Sequence, residues 1–163
     1  MATTIALLAL AGAARADEPD PAIAVVVGAG TNLAGFIVGG AVLTSGRTNG
    51  AVNAGWLTIE GAFTASPLAA HAVSGEWGRG ALFSIVPAGC MAGTATLFGL
   101  VPGVVDQGSL PQQRLMWGLF VAGQLASAVG IVDAAFAPLR RNKLFLAPAI
   151  GGGQVGLELG GLL

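Results

Sequence analysis

Two stretches of this chain, Pro21 to Gly46 and Gly80 to Val105, contain no charged residue. Each exceeds the roughly 20 residues that an α-helix needs to cross a ~30 Å hydrocarbon core. Two such runs point the chain toward a bilayer, and its composition agrees. Of 163 residues, 54% are hydrophobic and 9% charged, and the mean hydropathy is +0.78. That leaves too few charges to cover a water-soluble globule of this size. The formal net charge is -1, and the one basic cluster is Arg140, Arg141 and Lys143. Nucleic acid is thereby set aside as a partner, because binding it requires many phosphate-neutralising side chains.

The apolar segments lie at about 22–44, 51–73, 81–101 and 115–138. They predict an all-α membrane protein: a bundle of about four Ala/Gly-rich transmembrane helices occupying 17–143. A transmembrane β-barrel would instead alternate apolar and polar residues over ~10-residue segments, with aromatic girdles. Here the apolar runs are continuous and the chain has no tyrosine. Ahead of the bundle, residues 1–16 carry an apolar run ending in Ala14-Arg15-Ala16, an A-x-A site of the kind that closes a secretory signal peptide. Met1 to Thr4 lacks the basic residue usual at the start of such a segment. Cleavage would leave Asp17 as the first residue. Beyond the bundle, 144–163 reads as a glycine-rich extended tail, two short pieces around Gly151-Gly152-Gly153.

Within the second segment stand Glu60, Pro67 and His71. An ionisable group inside a span needs a partner or a water-filled cavity, and is a candidate functional site by default. Glu60 and His71 are eleven residues apart, about 16 Å along a straight helix, so they cannot pair within one helix. Two readings follow. In one, Glu60 bonds to Asn53, Thr64 or a polar group on another span, and His71 sits at the headgroup boundary; in the other, both line a proton or ligand path. Asp133, near the far end of the fourth segment, is the third candidate polar site, expected at the interface rather than paired with a buried basic group. Pro67 and Pro87 each lie inside an apolar segment, where proline usually bends the helix.

Small residues recur at helical spacings and predict close helix packing. They are Gly28, Gly35 and Gly39 in the first segment, Gly89 and Gly93 in the third, and Ala122, Ala126 and Gly130 in the fourth. Val25-Val26-Val27-Gly28-Ala29-Gly30 imitates a strand entering a dinucleotide-binding turn, but Leu33 stands where the third glycine belongs. There is no nucleophile-and-base pair, no H-E-x-x-H and no metal-ligand cluster, so neither an enzyme, a metal nor a cofactor is expected. Cys90, the one cysteine, cannot form a disulfide within the chain.

The order of signal segment, four spans, the Ser66-Pro67-Leu68-Ala69-Ala70-His71 motif with Gly75 and Ala81 beyond it, and the glycine-rich ending Pro148 to Gly161 resembles small signal-bearing multi-span envelope proteins of myxobacteria and related bacteria. That resemblance carries no activity with it. The ending here lacks the terminal Phe of such tails, which counts against export to the outer membrane. The expectation is a multi-pass protein of the bacterial inner membrane, a structural or interaction component of the envelope. Its partners would be the lipid bilayer and a second copy or another envelope membrane protein. A small transport or proton-conducting module using Glu60 and His71 is the alternative. Orientation is divided. Cleavage after Ala16 and four spans would put Arg140, Arg141 and Lys143 outside, against the positive-inside bias.

Overall fold

The computed structural model describes residues 20–46 and 48–138 with their side chains, and 145–151 and 154–160 as backbone. The expected signal segment 1–16 lies outside the described residues.

Four long helices dominate: α1 (Pro21–Ser45), α2 (Asn49–Val73), α3 (Trp77–Leu100) and α5 (Leu110–Ala135). A single-turn helix, α4 (Val104–Gln107), sits between α3 and α5. Their ends follow local chemistry. Asp20 Oδ1 accepts from the Ala22 amide at 2.8 Å, with Pro21 in the first turn of α1. Thr48 Oγ1 accepts from the Ala51 amide at 3.3 Å to open α2. Gly75 (φ 70°) turns the chain from α2 into α3, and Gly103 (φ 72°) turns it into α4; both adopt the left-handed backbone that glycine tolerates. At α5, Gln112 Oε1 accepts from the Ser109 amide at 2.9 Å, and Pro111 occupies the first turn.

Two boundaries differ from expectation for this reason. The stretch Ser74 to Gly80 reads as a loop, yet Trp77 to Gly80 already belong to α3, because Gly75 alone completes the reversal. Likewise Leu110 to Arg114 belong to α5, since proline in a first turn starts a helix rather than ending one. Both internal prolines, Pro67 and Pro87, lie within continuous helices. Ser84 Oγ lies 2.7 Å from the carbonyl of Thr64, three residues before Pro67, and 2.9 Å from that of Gly80. A neighbouring helix thus supplies a donor next to the proline.

Short turns between α1 and α2, and between α2 and α3, make sequential helices antiparallel neighbours. α2 packs against α1, α3 and α5, and α5 also touches α1 and α3. From Ala51 to Val73, only Ala54 and Ala65 of α2 are exposed. The other long helices turn large apolar side chains outward: Val26, Leu33 and Ile37 on α1, Leu82, Ile85 and Val86 on α3, Leu125, Val129 and Val132 on α5. Those three are long and apolar enough to cross a membrane. α2 is not among them. Its polar residues face protein, so the apolarity that a lipid-facing helix requires is not demanded of it. Four long helices form as expected, but three meet the criterion of a span.

One end of the bundle is closed by Trp56, Leu97, Phe98, Val104 and Met116. Trp56 meets Trp117 and Phe120 edge-on, at ring separations of 5.0 and 4.9 Å. The opposite end is packed by Ala24, Ala70, Val73, Ile131 and Ala134. After α5, β1 (Phe145–Gly151) and β2 (Gln154–Gly160) pair antiparallel, with Phe145 opposite Gly160 and Gly151 opposite Gln154.

Candidate functional site

The small residues predicted to mediate packing separate into two groups. Gly28, Gly35 and Gly39 are buried, and a Cβ on any of them would collide with a facing helix. At Gly28 it would lie 2.8 Å from Ile131 Cγ1 and 2.9 Å from Ala70 Cβ; at Gly35 it would overlap Ala62; at Gly39 it would lie 2.6 Å from the Gly55 carbonyl. Gly130 is equally confined, between Phe83 Cβ at 2.8 Å and Pro67 Cβ at 2.9 Å. Gly93 is milder, with Leu119 Cδ1 at 3.1 Å.

Gly89 and Ala122 depart from the expectation. Both are exposed, and a Cβ at Gly89 would meet nothing within 4 Å. Ala126 is half-buried. A strict four-residue ladder rotates about 40° per step around a helix with 100° per residue, so Ala122 and Ala134 cannot share one face. The face of α5 that is buried runs through Met116, Gly123, Ser127, Gly130, Ile131 and Ala134, mixing three- and four-residue steps.

Glu60 lies between α2 and α3, 1% exposed, with Thr94 Oγ1 donating to its Oε1 at 2.8 Å. Its Oε2 has no hydrogen-bond partner among the described residues. The expected bond to another span is thus made by Thr94, which no periodicity singles out. Thr64 donates to the Glu60 backbone carbonyl at 3.2 Å, not to its carboxyl. On the other side of α2, Asn32 Nδ2 lies 3.4 Å from Ser127 Oγ, joining α1 to α5.

His71 is fully buried in the last turn of α2. Its Nδ1 lies 3.3 Å from Glu76 Oε2 and its Nε2 3.5 Å from Asp133 Oδ2. Asp133 is also gripped by Arg79: Nε donates to Oδ2 at 3.1 Å and Nη2 to Oδ1 at 2.9 Å, a two-pronged guanidinium–carboxylate pair. Phe83 stacks on the His71 ring, 5.7 Å between centroids and 5° between planes, and the Arg79 guanidinium carbon is 5.9 Å from the Phe83 centroid. The approach of α3 to His71 depends on Gly80, where a Cβ would lie 3.0 Å from His71 Cβ. Asp133 thus takes an exposed basic partner, Arg79, while the buried His71 stands 3.5 Å away. Counting basic residues within the spans overlooked Arg79, which the early start of α3 brings against α5.

No protein family, curated protein or solved structure matches the chain. What the arrangement can do therefore rests on its own geometry. His71 Nδ1 and Nε2 lie on opposite sides of the ring, so Glu76 and Asp133 do not converge on one point through it. Among the described residues no group of three or more His, Cys, Asp or Glu is placed to hold a metal. Glu60 and His71 occupy different levels of α2. The hydroxyls along this helix are engaged by backbone: Ser66 donates to the Ala62 carbonyl at 2.6 Å, Thr64 to that of Glu60, and Ser84 to those of Thr64 and Gly80. Of these only Ser84 to Thr64 joins two helices, and a backbone carbonyl cannot pass a proton onward, so the contacts form no relay.

Proposed function

We propose that this chain is a multi-pass protein of the bacterial inner membrane that serves the envelope as a structural or interaction component rather than as an enzyme. On this reading all four long helices cross the bilayer, with α1, α3 and α5 against lipid and α2 screened by them. The observation that carries the reading is the use made of polar groups between the helices. Glu60–Thr94, Asn32–Ser127 and Asp133–Arg79 each join one helix to another. Such contacts hold a bundle together in an environment where packing and polar pairs, not the hydrophobic effect, bring helices together.

A partner would be a second copy or another envelope membrane protein. Gly35 and Gly39 are consumed inside the bundle, so contact between copies would fall on outward-facing small residues such as Gly89 and Ala122. The test is the mass of the full-length protein extracted in mild detergent after cross-linking in membranes. A defined oligomer or hetero-complex that Gly89→Leu weakens, with the bundle still folded, supports the reading. A strictly monomeric protein with no cross-linked partner overturns it.

One observation favours the transport reading: Glu60 Oε2 is buried without a hydrogen-bond partner among the described residues. Flux of protons or cations through proteoliposomes, abolished by Glu60→Gln with assembly intact, would place that reading first.

A further inference from the structure

The chain contains a single histidine, and carboxylates face both of its ring nitrogens. Glu76 Oε2 stands 3.3 Å from Nδ1 and Asp133 Oδ2 stands 3.5 Å from Nε2, around a ring with no exposed surface. A neutral imidazole offers one N–H and one lone pair. Whichever nitrogen kept the proton, the other would direct a lone pair at a carboxylate, where little water can intervene. An imidazolium presents a positive N–H toward each carboxylate, hydrogen-bonded at Nδ1 and at ion-pair distance at Nε2.

We propose that His71 is held as an imidazolium and acts as a proton-dependent latch at this end of the bundle. It ties the last turn of α2 to the α2–α3 turn through Glu76 and to α5 through Asp133. Among the described residues, charged groups face it from the packed elements. The turn contributes Glu76, α3 contributes Arg79 and α5 contributes Asp133. Arg79 Nε and His71 Nε2 approach the same oxygen, Asp133 Oδ2, at 3.1 and 3.5 Å, and Phe83 stands close to both cations. Among the described residues α1 brings Ala24 and Val27 to this end of the core and carries Asp20 at its cap; Asp17 and Glu18 before it lie outside the described residues. Arg140, Arg141 and Lys143 follow α5 and lie outside the described residues.

Arg79 holds both oxygens of Asp133, so the carboxylate cannot swing aside when the imidazole loses its proton. With Asp133 fixed, the proton that remains stays at Nε2; raising the pH therefore turns the attraction at Nδ1 into a repulsion, and the part that yields is the turn that carries Glu76. Its amides are protected by short local bonds: Ser74 and Glu76 donate to the His71 carbonyl at 3.1 and 3.0 Å, and Gly75 to that of Ala72 at 3.1 Å. The contacts at Gly35, Gly39 and Glu60–Thr94 lie elsewhere and hold the bundle closed.

Because there is one histidine, full-length protein labelled with ¹⁵N-histidine in lipid nanodiscs reports on His71 alone. At pH 7 both ring nitrogens are expected at the protonated N–H position. On titration upward, one should move to the lone-pair position together with faster hydrogen exchange at residues 74–76. A lone-pair signal already present at pH 7, or deprotonation with unchanged exchange in the turn, overturns the proposal. Asp133→Asn removes one carboxylate at constant shape and should leave His71 neutral at pH 7. If that variant fails to fold, Glu76→Gln makes the same test from the other nitrogen, and an imidazolium persisting in the folded variant counts against the latch.

Discussion

Replacing Gly39 with alanine adds a single methyl group where α1 crosses α2. The added Cβ would stand 2.6 Å from the Gly55 carbonyl oxygen and 2.5 Å from Ile59 Cγ1, against the 3.4 Å at which ordinary contact begins. Ile59 can rotate, but the carbonyl is backbone, so the helices must separate locally by about 0.8 Å, the shortfall against that oxygen. The separation spreads along the crossing, since Gly55 is itself confined by Leu43 Cγ at 2.6 Å and by the Gly39 carbonyl at 2.8 Å. Overpacking of this kind costs about 1–3 kcal/mol. Gly30 and Gly40 on the same helix provide the control, because a Cβ there meets nothing within 4 Å. Alanine at those positions should change stability by no more than about 0.5 kcal/mol, or raise it through helix propensity. The assay is thermal or denaturant unfolding in one detergent, followed by circular dichroism, for Gly35→Ala and Gly39→Ala against Gly30→Ala and Gly40→Ala. Equal stability across the four would refute the α1–α2 packing.

At Glu60 polarity matters more than volume: Glu60→Gln keeps an acceptor for Thr94 and should leave assembly unchanged, whereas Glu60→Leu should weaken helix association by about 0.6–2 kcal/mol. A double-mutant cycle with Thr94→Val checks the pair, and a coupling energy indistinguishable from zero would contradict it. Trp56→Ala should cost about 3–5 kcal/mol by opening the aromatic end of the bundle, read as a fall in unfolding midpoint. Intact mass of the protein from membranes should correspond to a chain beginning at Asp17; a species retaining Met1 would remove the signal-peptide reading.

The helices were legible because uncharged runs of this length leave few alternatives, and the glycines of α1 were legible because Gly28, Gly35 and Gly39 repeat at steps that keep one face. Gly89 and Ala122 misled because spacing identifies a face without saying what it meets. The inner position of α2 was foreshadowed by Glu60 and His71, whose polarity a lipid-facing helix would not carry. Thr94 and Ser127 gave no signal, since an isolated hydroxyl in an apolar helix fits either a bond to its own backbone or one across helices. The Arg79–Asp133 pair was hidden by the boundary of α3. Once Gly75 is seen to reverse the chain in a single turn, Arg79 moves from a connector to the first turn of a helix facing α5.

The central claim is that α2 is the inner helix, screened from lipid by α1, α3 and α5. It is tested most directly by labelling the membrane-embedded protein with a photoactivated carbene reagent dissolved in the bilayer core, then locating the label by mass spectrometry. Label should fall on outward positions such as Leu33, Ile37, Ile85, Val86, Leu125 and Val129, with the peptide spanning Ile59 to Ala70 nearly free of it. Labelling of that α2 peptide as heavy as that of α1, α3 and α5 would contradict the account.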